Sequence, residues 1–357
     1  MRHVAIIGGG VAGLTVALRR SQLGDRISVF EAGAELGGQL RTERSQGYLI
    51  EHGAEGFVAG SAAVAELAAA TGIREQLREQ LVRDSCHFDG EQLTRLAPGE
   101  AGKMLGFQVS SRALGRGIES FQAGMSQLVG ALRAQLPHGT EIALSSPVQS
   151  LARDAAGRLR LTLASGDARV ADAVVVATSA SGAARLLEPL AGASALALAQ
   201  AEALSSVTVS LAYPRERVPH PLDATGFVVA EGAQLEGFRA CTFASSKLPG
   251  RSPPGRALLR AFFRPLPEEL QLADADWVQR AERCVARALG ALGPAERGWV
   301  SRWERALPVL DDAHRTRVAA LEAALAGNAV VLAGAAFHGV GIDGAVRSAE
   351  AAARALG

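Results

Sequence analysis

Gly8, Gly10 and Gly13 stand in the spacing G-x-G-x-x-G within "GGGVAG", directly after an apolar run at residues 4–7. Main-chain N–H groups at such a turn can hold a pyrophosphate. Gly8 permits the tight turn out of a strand, Gly10 lets backbone approach a phosphate, and Gly13 lets a helix lie close to a sheet. Glu31 follows about twenty residues on, where a carboxylate can accept hydrogen bonds from a ribose diol. Two further glycine-bearing segments come next, Gly37-Gly38 and Gly53-Ala54. They add backbone surface that suits a dinucleotide stretched across a sheet, as FAD is.

The elements that must position these residues can be read around them. Val4–Ile7 is short, apolar and β-branched, as a strand buried on both faces should be. Val11–Ser21 has helical character and Arg26–Phe30 reads as a second strand ending at Glu31, completing a βαβ unit. Ser61 caps a helix to Thr71, with Gly72 as its stop, and Asp89-Gly90 marks a tight hairpin. Residues 97–117 are glycine-rich and read as irregular, and Met125–Leu136 reads as a helix. Strands dominate from 141 to 177, including the alternating "RLRLTL" and the apolar "AVVVAT". Helix follows to about 203. Ser205–Tyr213, Gly237–Phe243 and Ala257–Phe263 read as strands, and Asp274–Leu292 and Asp311–Leu325 as surface helices.

From Ala323 to Ile342 there is no Asp, Glu, Lys or Arg, a length that approaches a membrane span. Gly327-Asn328, Gly334, His338, Gly339 and Gly341 interrupt it, and a lipid-exposed helix so broken would leave backbone groups unpaired. The segment reads instead as a helix end, a buried strand at Ala329–Ala333 and a backbone-rich loop. Both this strand and the first βαβ unit fit one sheet, so two domains interleaved along the chain are expected. The secretory reading of Arg2 and the apolar run after it fails on the three consecutive glycines.

Composition narrows the function class. The 357 residues carry a formal net charge of +1, which argues against a nucleic-acid partner. Cys86, Cys241 and Cys284 are odd in number and scattered, which points to a reducing compartment and away from a disulfide framework or a metal site. No Ser-His-Asp or paired-carboxylate constellation stands out, so a bound cofactor is expected to supply the chemistry.

The stretch "VFEAGAELGGQLRT…GYLIEHGAEGFVA" resembles the flavin-containing amine oxidase superfamily and, within it, the protoporphyrinogen/coproporphyrinogen oxidase family. Matches recur in order at "FQAGMSQLVGAL", "ADAVVVAT", "SVTVSLAYPR", "CTFASSKLPGRSPPGRALLRAFF", "RWERALPVLDDAHRTRVAAL" and "AGAAFHGVGIDG". The resemblance implies a mixed α/β fold, with a Rossmann-like FAD-binding domain (GR2-type) interleaved with a smaller mixed β-sheet substrate domain. The expected division is 1–84, 137–190 and 296–357 for FAD, and 85–136 and 191–295 for substrate.

It further implies FAD-dependent oxidation of a porphyrinogen, protoporphyrinogen IX or coproporphyrinogen III, with dioxygen as acceptor, in haem biosynthesis in the cytoplasm. The implied cofactor set is Gly8, Gly10, Val11, Ala12, Gly13, Glu31, Ala32, Gly37, Gly38, Gln39, Leu40, Gly53, Ala54, Val148, Thr178, Trp303, Gly334, Val340, Gly341 and Ile342. Val148 falls at the adenine end, Trp303 and His338 near the flavin rings, and the loop through 340–342 at the pyrimidine edge. His314 is a second histidine to place. Arg83, Arg95, Lys247 and Arg260 are the candidates for capturing substrate carboxylates.

The sequence departs from the family pattern at Glu35 and Gln39, where basic residues are usual, at Pro308-Val309-Leu310, and at Ser85 in place of an arginine. A carboxylate at 35 would repel a pyrophosphate. Only residues 96–120 stand where the family carries a helical membrane-binding insertion, so no transmembrane segment and at most peripheral membrane contact are expected. Two alternatives stay open: a flavin amine oxidase or renalase-like enzyme on a smaller substrate, and a non-catalytic flavin- or porphyrin-binding partner. A homodimer or a haem-pathway partner is compatible with either.

Overall fold

A computed structural model describes residues 1–106 and 111–357. Its centre is a five-stranded sheet of β10 (Glu141–Ala143), β2 (Arg26–Phe30), β1 (His3–Ile7), β14 (Ala173–Val176) and β20 (Val330–Leu332), in that spatial order and parallel throughout. All five residues of β1 are buried, which explains an apolar run without alternation. Val4 and Ile6 face one layer of side chains, Ala5 and Ile7 the other.

On the first face lie α1 (Val11–Gln22), α2 (Ala62–Ala70), α5 (Ser126–Ala134) and α10 (Gly341–Ala355). On the second lie α6 (Ala180–Ala199), α9 (Asp312–Leu325) and a three-stranded antiparallel sheet, β11 (Val148–Arg153), β12 (Leu159–Leu163) and β13 (Ala168–Ala171). Helix α6 carries Pro189 and breaks at Gly192, whose φ is +47°. The caps follow sequence chemistry: Ser61 Oγ accepts from Val64 N at 3.3 Å, and Asp311 Oδ1 accepts from His314 N at 2.7 Å.

The second lobe is a seven-stranded sheet in the order β19 (Arg297–Pro308), β15 (Ala203–Pro214), β18 (Arg256–Phe263), β17 (Phe238–Phe243), β16 (Gly226–Val229), β7 (Ser85–Phe88) and β8 (Leu93–Leu96). Only β16 and β7 run parallel. Val207, Val209 and Leu211 turn toward α8 (Asp274–Leu289), whose Trp277 is fully buried with its ring centroid 5.3 Å from that of Phe263. The alternate residues of β15 and β18, among them Thr208 and Arg260, face the first lobe. A hairpin of β3 (Thr42–Ser45) and β4 (Tyr48–Glu51) lies against that face, Tyr48 touching Trp299 at 5.6 Å between centroids. A small sheet of β5 (Phe57–Val58), β9 (Ile118–Phe121) and β6 (Leu77–Glu79) sits at the junction.

The parallel strands, the Asp89-Gly90 hairpin and the main helices stand where sequence places them. Three features differ. Residues 97–117 hold two five-residue helices, α3 (Glu100–Met104) and α4 (Ser111–Gly115); the rest of that expectation, residues 107–110, lies outside the described residues. Residues 297–308 form the long strand β19 of the second lobe, and α5 packs on α1 in the first. A single turn, α7 (Ala244–Lys247), follows β17. Among the described residues, no helix is long and apolar enough to cross a membrane.

Candidate cofactor and active site

Strand β1 ends at Ile7 and the chain turns at Gly8, whose φ is +110° and whose N–H donates to Phe30 O at 2.8 Å. A Cβ here would meet Ala177 O at 2.4 Å. Gly10 is the N-cap of α1, with φ −73° and ψ 178°, and no side chain satisfies the first N–H groups. Nothing lies within 4 Å of where its Cβ would be. Val11 and Ala12 form the first turn and Gly13 seats the helix on the Gly8 carbonyl.

Glu31 stands at the tip of β2. Its two oxygens accept from Gly9 N and Gly33 N, both at 2.7 Å, so main-chain donors fix the carboxylate beside the glycine turn. Ala32 leads into that Gly33 turn. Gly37, at φ +117°, donates from its N to Gly9 O at 2.9 Å and bridges Gly10; Gly38, at φ +57°, lies beside Gly10 Cα. The second glycine pair is thus laid directly on the first turn. Leu40 is buried and closes a turn onto Gly37 O.

Gly53 packs so tightly that a Cβ would stand 1.9 Å from Gln39 O, which also accepts from Ala54 N at 3.1 Å. Gln39 Nε2 donates to Ala306 O at 2.9 Å, and Trp303 Nε1 donates to His52 O at 2.7 Å. Strand β19 therefore reaches over the segments that carry Gly37, Gly38 and Gly53. Ser145 N and Ser146 N donate to Gly33 O and Glu31 O, both at 2.8 Å, and lead the chain into Val148. Thr178 follows Ala177, the residue that faces Gly8.

The chain returns at β20. Gly334, at φ +117°, donates to Ser348 Oγ at 2.9 Å, and a Cβ on it would touch that of Ala12 at 3.4 Å. Val340 is the N-cap of α10 without a side-chain bond, and beside Gly341 there is open space. Ile342 is buried, and Asp343 accepts from Ser61 Oγ. Helices α1 and α10 both follow parallel strands of one sheet, so their starts share its carboxyl edge. Two helix N-termini without side-chain caps beside unfilled glycine positions fit an elongated anionic cofactor.

Of the histidines, His338 Nε2 lies 2.9 Å from Glu322 Oε1. His314 is buried, and burial holds its ring below the ordinary value. Arg83 and Arg95 sit on the surface beside Glu79 and Asp223. Lys247 and Arg260 are buried instead. Lys247 Nζ meets Glu55 Oε1, while Arg260 Nη2 donates to Gly53 O at 2.6 Å and His52 O at 3.3 Å. Burial raises the Glu55 carboxyl, but Lys247 and Arg260 outweigh it and hold the group below its ordinary range.

Sequence reading missed this buried ionic cluster, which also contains Glu51 and Arg251. Its trace was there: Glu51 and Glu55 bracket Gly53 inside an apolar stretch, and Lys247 and Arg251 bracket Leu248-Pro249-Gly250.

A parallel sheet with two helix starts at its carboxyl edge, an acid fixed at the second strand and a β-lobe laid over the crevice defines a two-lobed dinucleotide-binding oxidoreductase. Comparison with known proteins makes this specific. The model of the NAD(P)-binding Rossmann-like domain matches residues 6–71. The flavin containing amine oxidoreductase model matches residues 86–357, and the chain belongs to that family. It is an FAD-dependent oxidoreductase.

Curated relatives include the coproporphyrinogen III oxidase of Propionibacterium freudenreichii subsp. freudenreichii, 32% identical over 65% of this chain. That alignment spans 44% of the relative, less than half its length. The coproporphyrinogen III oxidase of Bacillus subtilis (strain 168) is 23% identical over 98% of this chain and 97% of its own. A crystal structure from Exiguobacterium sp. 255-15, under the provisional name protoporphyrinogen oxidase, superposes with a TM-score of 0.86 at 21% identity, covering 99% of this chain and 98% of that one. At that identity it speaks to the fold.

Proposed function

We propose that the chain oxidises a porphyrinogen, coproporphyrinogen III or protoporphyrinogen IX, with dioxygen as the final acceptor, as a cytoplasmic step of haem biosynthesis. The observation that carries this reading is the meeting of Ala12 and Gly334, which joins the two helix starts into one crevice under the second lobe. The names of the relatives point the same crevice at a porphyrinogen.

When bound, FAD would supply the hydride acceptor, with dioxygen as the proposed final oxidant. Everything else falls to the chain. The N–H groups at the start of α1 hold the pyrophosphate, and Glu31, already aimed by Gly9 N and Gly33 N, receives the ribose hydroxyls. The start of α10 favours negative charge at the pyrimidine end. Trp303 and Arg260 hold the His52 and Gly53 carbonyls from the side of the second lobe. The face of the seven-stranded sheet turned toward the first lobe bears Thr208 and Phe262, and offers an apolar and hydroxyl-bearing wall for a macrocycle. Loss of six hydrogens in three rounds would convert the porphyrinogen to porphyrin: three leave as hydrides from methylene bridges and three as protons to solvent, two from ring N–H groups and one from the remaining bridge.

The test is a visible spectrum followed by anaerobic titration with each porphyrinogen. Flavin bleaching with one of them, and oxygen uptake on readmission of air, is the expected result. Flavin that bleaches with a primary amine instead would move the substrate to a smaller molecule. Flavin that bleaches with neither would support a binding role without catalysis.

A further inference from the structure

Gly53, in the cofactor crevice, is preceded by a histidine whose ring the crevice itself does not use. His52 follows β4. Its N–H donates to Arg41 O at 2.9 Å and its carbonyl accepts from Trp303 Nε1 at 2.7 Å, so the backbone is fixed on both sides. The ring reaches across to the second lobe. Nδ1 lies 2.7 Å from Ser301 Oγ, and Nε2 lies 3.0 Å from Glu43 Oε2. The other Glu43 oxygen accepts from Trp299 Nε1 at 3.1 Å. The His52 side chain is 12% exposed and that of Glu43 41%, so the chain of bonds runs from the seam between the lobes to solvent.

Side-chain chemistry sets the direction of each proton in this chain. An indole N–H only donates, which suits an ionised Glu43, and a carboxylate only accepts, so His52 Nε2 carries the hydrogen. Nδ1 of the neutral ring is then a lone pair, and the Ser301 O–H donates to it. The serine oxygen keeps its own acceptor lone pairs. Ser301 is half-buried in β19, directly opposite Thr208, and Thr208 is directly opposite Phe262. The serine therefore stands in the row of residues that faces the first lobe, beside the wall offered to a macrocycle.

We propose that Ser301, His52 and Glu43 together form the proton acceptor of the reaction. Ser301 is the group that touches substrate, and His52 and Glu43 act through it. The proposal rests on the porphyrinogen reading above. In each round a hydride leaves a methylene bridge for the cofactor, carrying the electron pair with it. A proton of the same macrocycle passes to Ser301 Oγ while the Ser301 proton passes to His52 Nδ1. The imidazolium so formed is held by the Glu43 carboxylate. One hydride and one proton leave per round, two hydrogens of the six. When water replaces the product of the round, the proton returns through the same two bonds to that water, and the resting tautomer is restored.

The test uses the whole FAD-loaded protein and follows anaerobic flavin reduction by stopped flow, with coproporphyrinogen III and with protoporphyrinogen IX. His52→Gln and Ser301→Ala should each slow reduction about a hundredfold at an unchanged half-saturating concentration. Glu43→Gln should slow it about tenfold. Ser301→Thr, which restores a hydroxyl, should recover most of the rate, and this rescue separates lost chemistry from a misfolded variant. A further readout needs no turnover. Nitrogen–proton correlation NMR of the resting protein should show His52 as the Nε2–H tautomer, assigned by the signal missing in His52→Gln. Unchanged rates in the variants, a change in half-saturation alone, no rescue by threonine, or the Nδ1–H tautomer at rest would each overturn the inference and leave the functional reading standing. The bonds would then be only a latch between the lobes. Flavin that neither porphyrinogen bleaches would overturn the functional reading, and this inference with it.

Discussion

Gly13 lies so close to Gly8 that a Cβ on Gly13 would stand 2.0 Å from the Gly8 carbonyl oxygen. The same turn leaves Gly10 with open space around its missing side chain. The two glycines are therefore separable by experiment. Gly13→Ala should cost about 1–3 kcal/mol of stability through overpacking. Gly10→Ala meets an extended backbone that alanine adopts freely, and should leave unfolding of the FAD-free protein within about 0.5 kcal/mol of the parent. It should nonetheless weaken FAD at least about tenfold, or about 1.4 kcal/mol, because the methyl group enters the phosphate cradle. Urea unfolding and FAD fluorescence titration read the two effects.

Arg260 ties the second lobe to Gly53 through its 2.6 Å hydrogen bond and to Glu55 through charge. Arg260→Met leaves Glu55 and the two carbonyls short of a donor, and should destabilise by about 3–5 kcal/mol. Trp303→Phe removes one hydrogen bond to His52 O and should cost only about 1 kcal/mol. Equal losses for the two variants would contradict the buried-charge account.

All three cysteines are free and buried, and burial raises each thiol, Cys284 to about 11. At neutral pH they should resist a thiol reagent such as Ellman's in the folded state. Full reaction is expected only in denaturant, and one fast-reacting thiol in native buffer would be inconsistent with this packing.

His3, His220 and His314 are all held below their ordinary value of 6.5, chiefly by burial. The unfolded chain therefore takes up protons before the folded one. Their contribution is fully present above pH 6.5 and is lost as pH falls below it. For His314 the nearby charges are Asp311, which opposes the shift, and Arg317 and His338, which add to it. Each histidine contributes at most about 1.4 kcal/mol per pH unit. Glu51, raised above 4.5, acts in the opposite sense, whereas Glu55, held below 4.5, acts in the same sense as the histidines at more acid pH. Urea midpoints that hold steady from neutral pH down to about 5.5 would contradict the burial of these rings.

The parallel core was legible because its signals are local. Uninterrupted apolar runs gave β1, β14 and β20, and a glycine pattern gave the turn between β1 and α1. Ser61 and Asp311 announced their helices by side-chain chemistry alone. Strand β19 was not legible: Arg297, Arg302, Glu304 and Arg305 break any alternation, and much of it stays exposed because it is an edge strand. The glycines of the β1–α1 turn could be named in advance because backbone constraints are written in residue type. Of the ionic cluster only Lys247 and Arg260 could be singled out, since Glu51 and Arg251 meet across 200 positions and each looks like an ordinary surface charge in isolation.

Strand β14 is flanked by β1 on one side and β20 on the other, and most of the second lobe is synthesised between β14 and β20. During translation the β14 edge must therefore wait, unzipped, while five strands of the seven-stranded sheet, β15 to β19, are made. A nascent polypeptide arrested before residue 330 would expose that edge and hold only one of the two helix starts proposed to clasp the nucleotide. Cofactor capture becomes a late checkpoint of biogenesis, and chaperone dependence should concentrate in that interval.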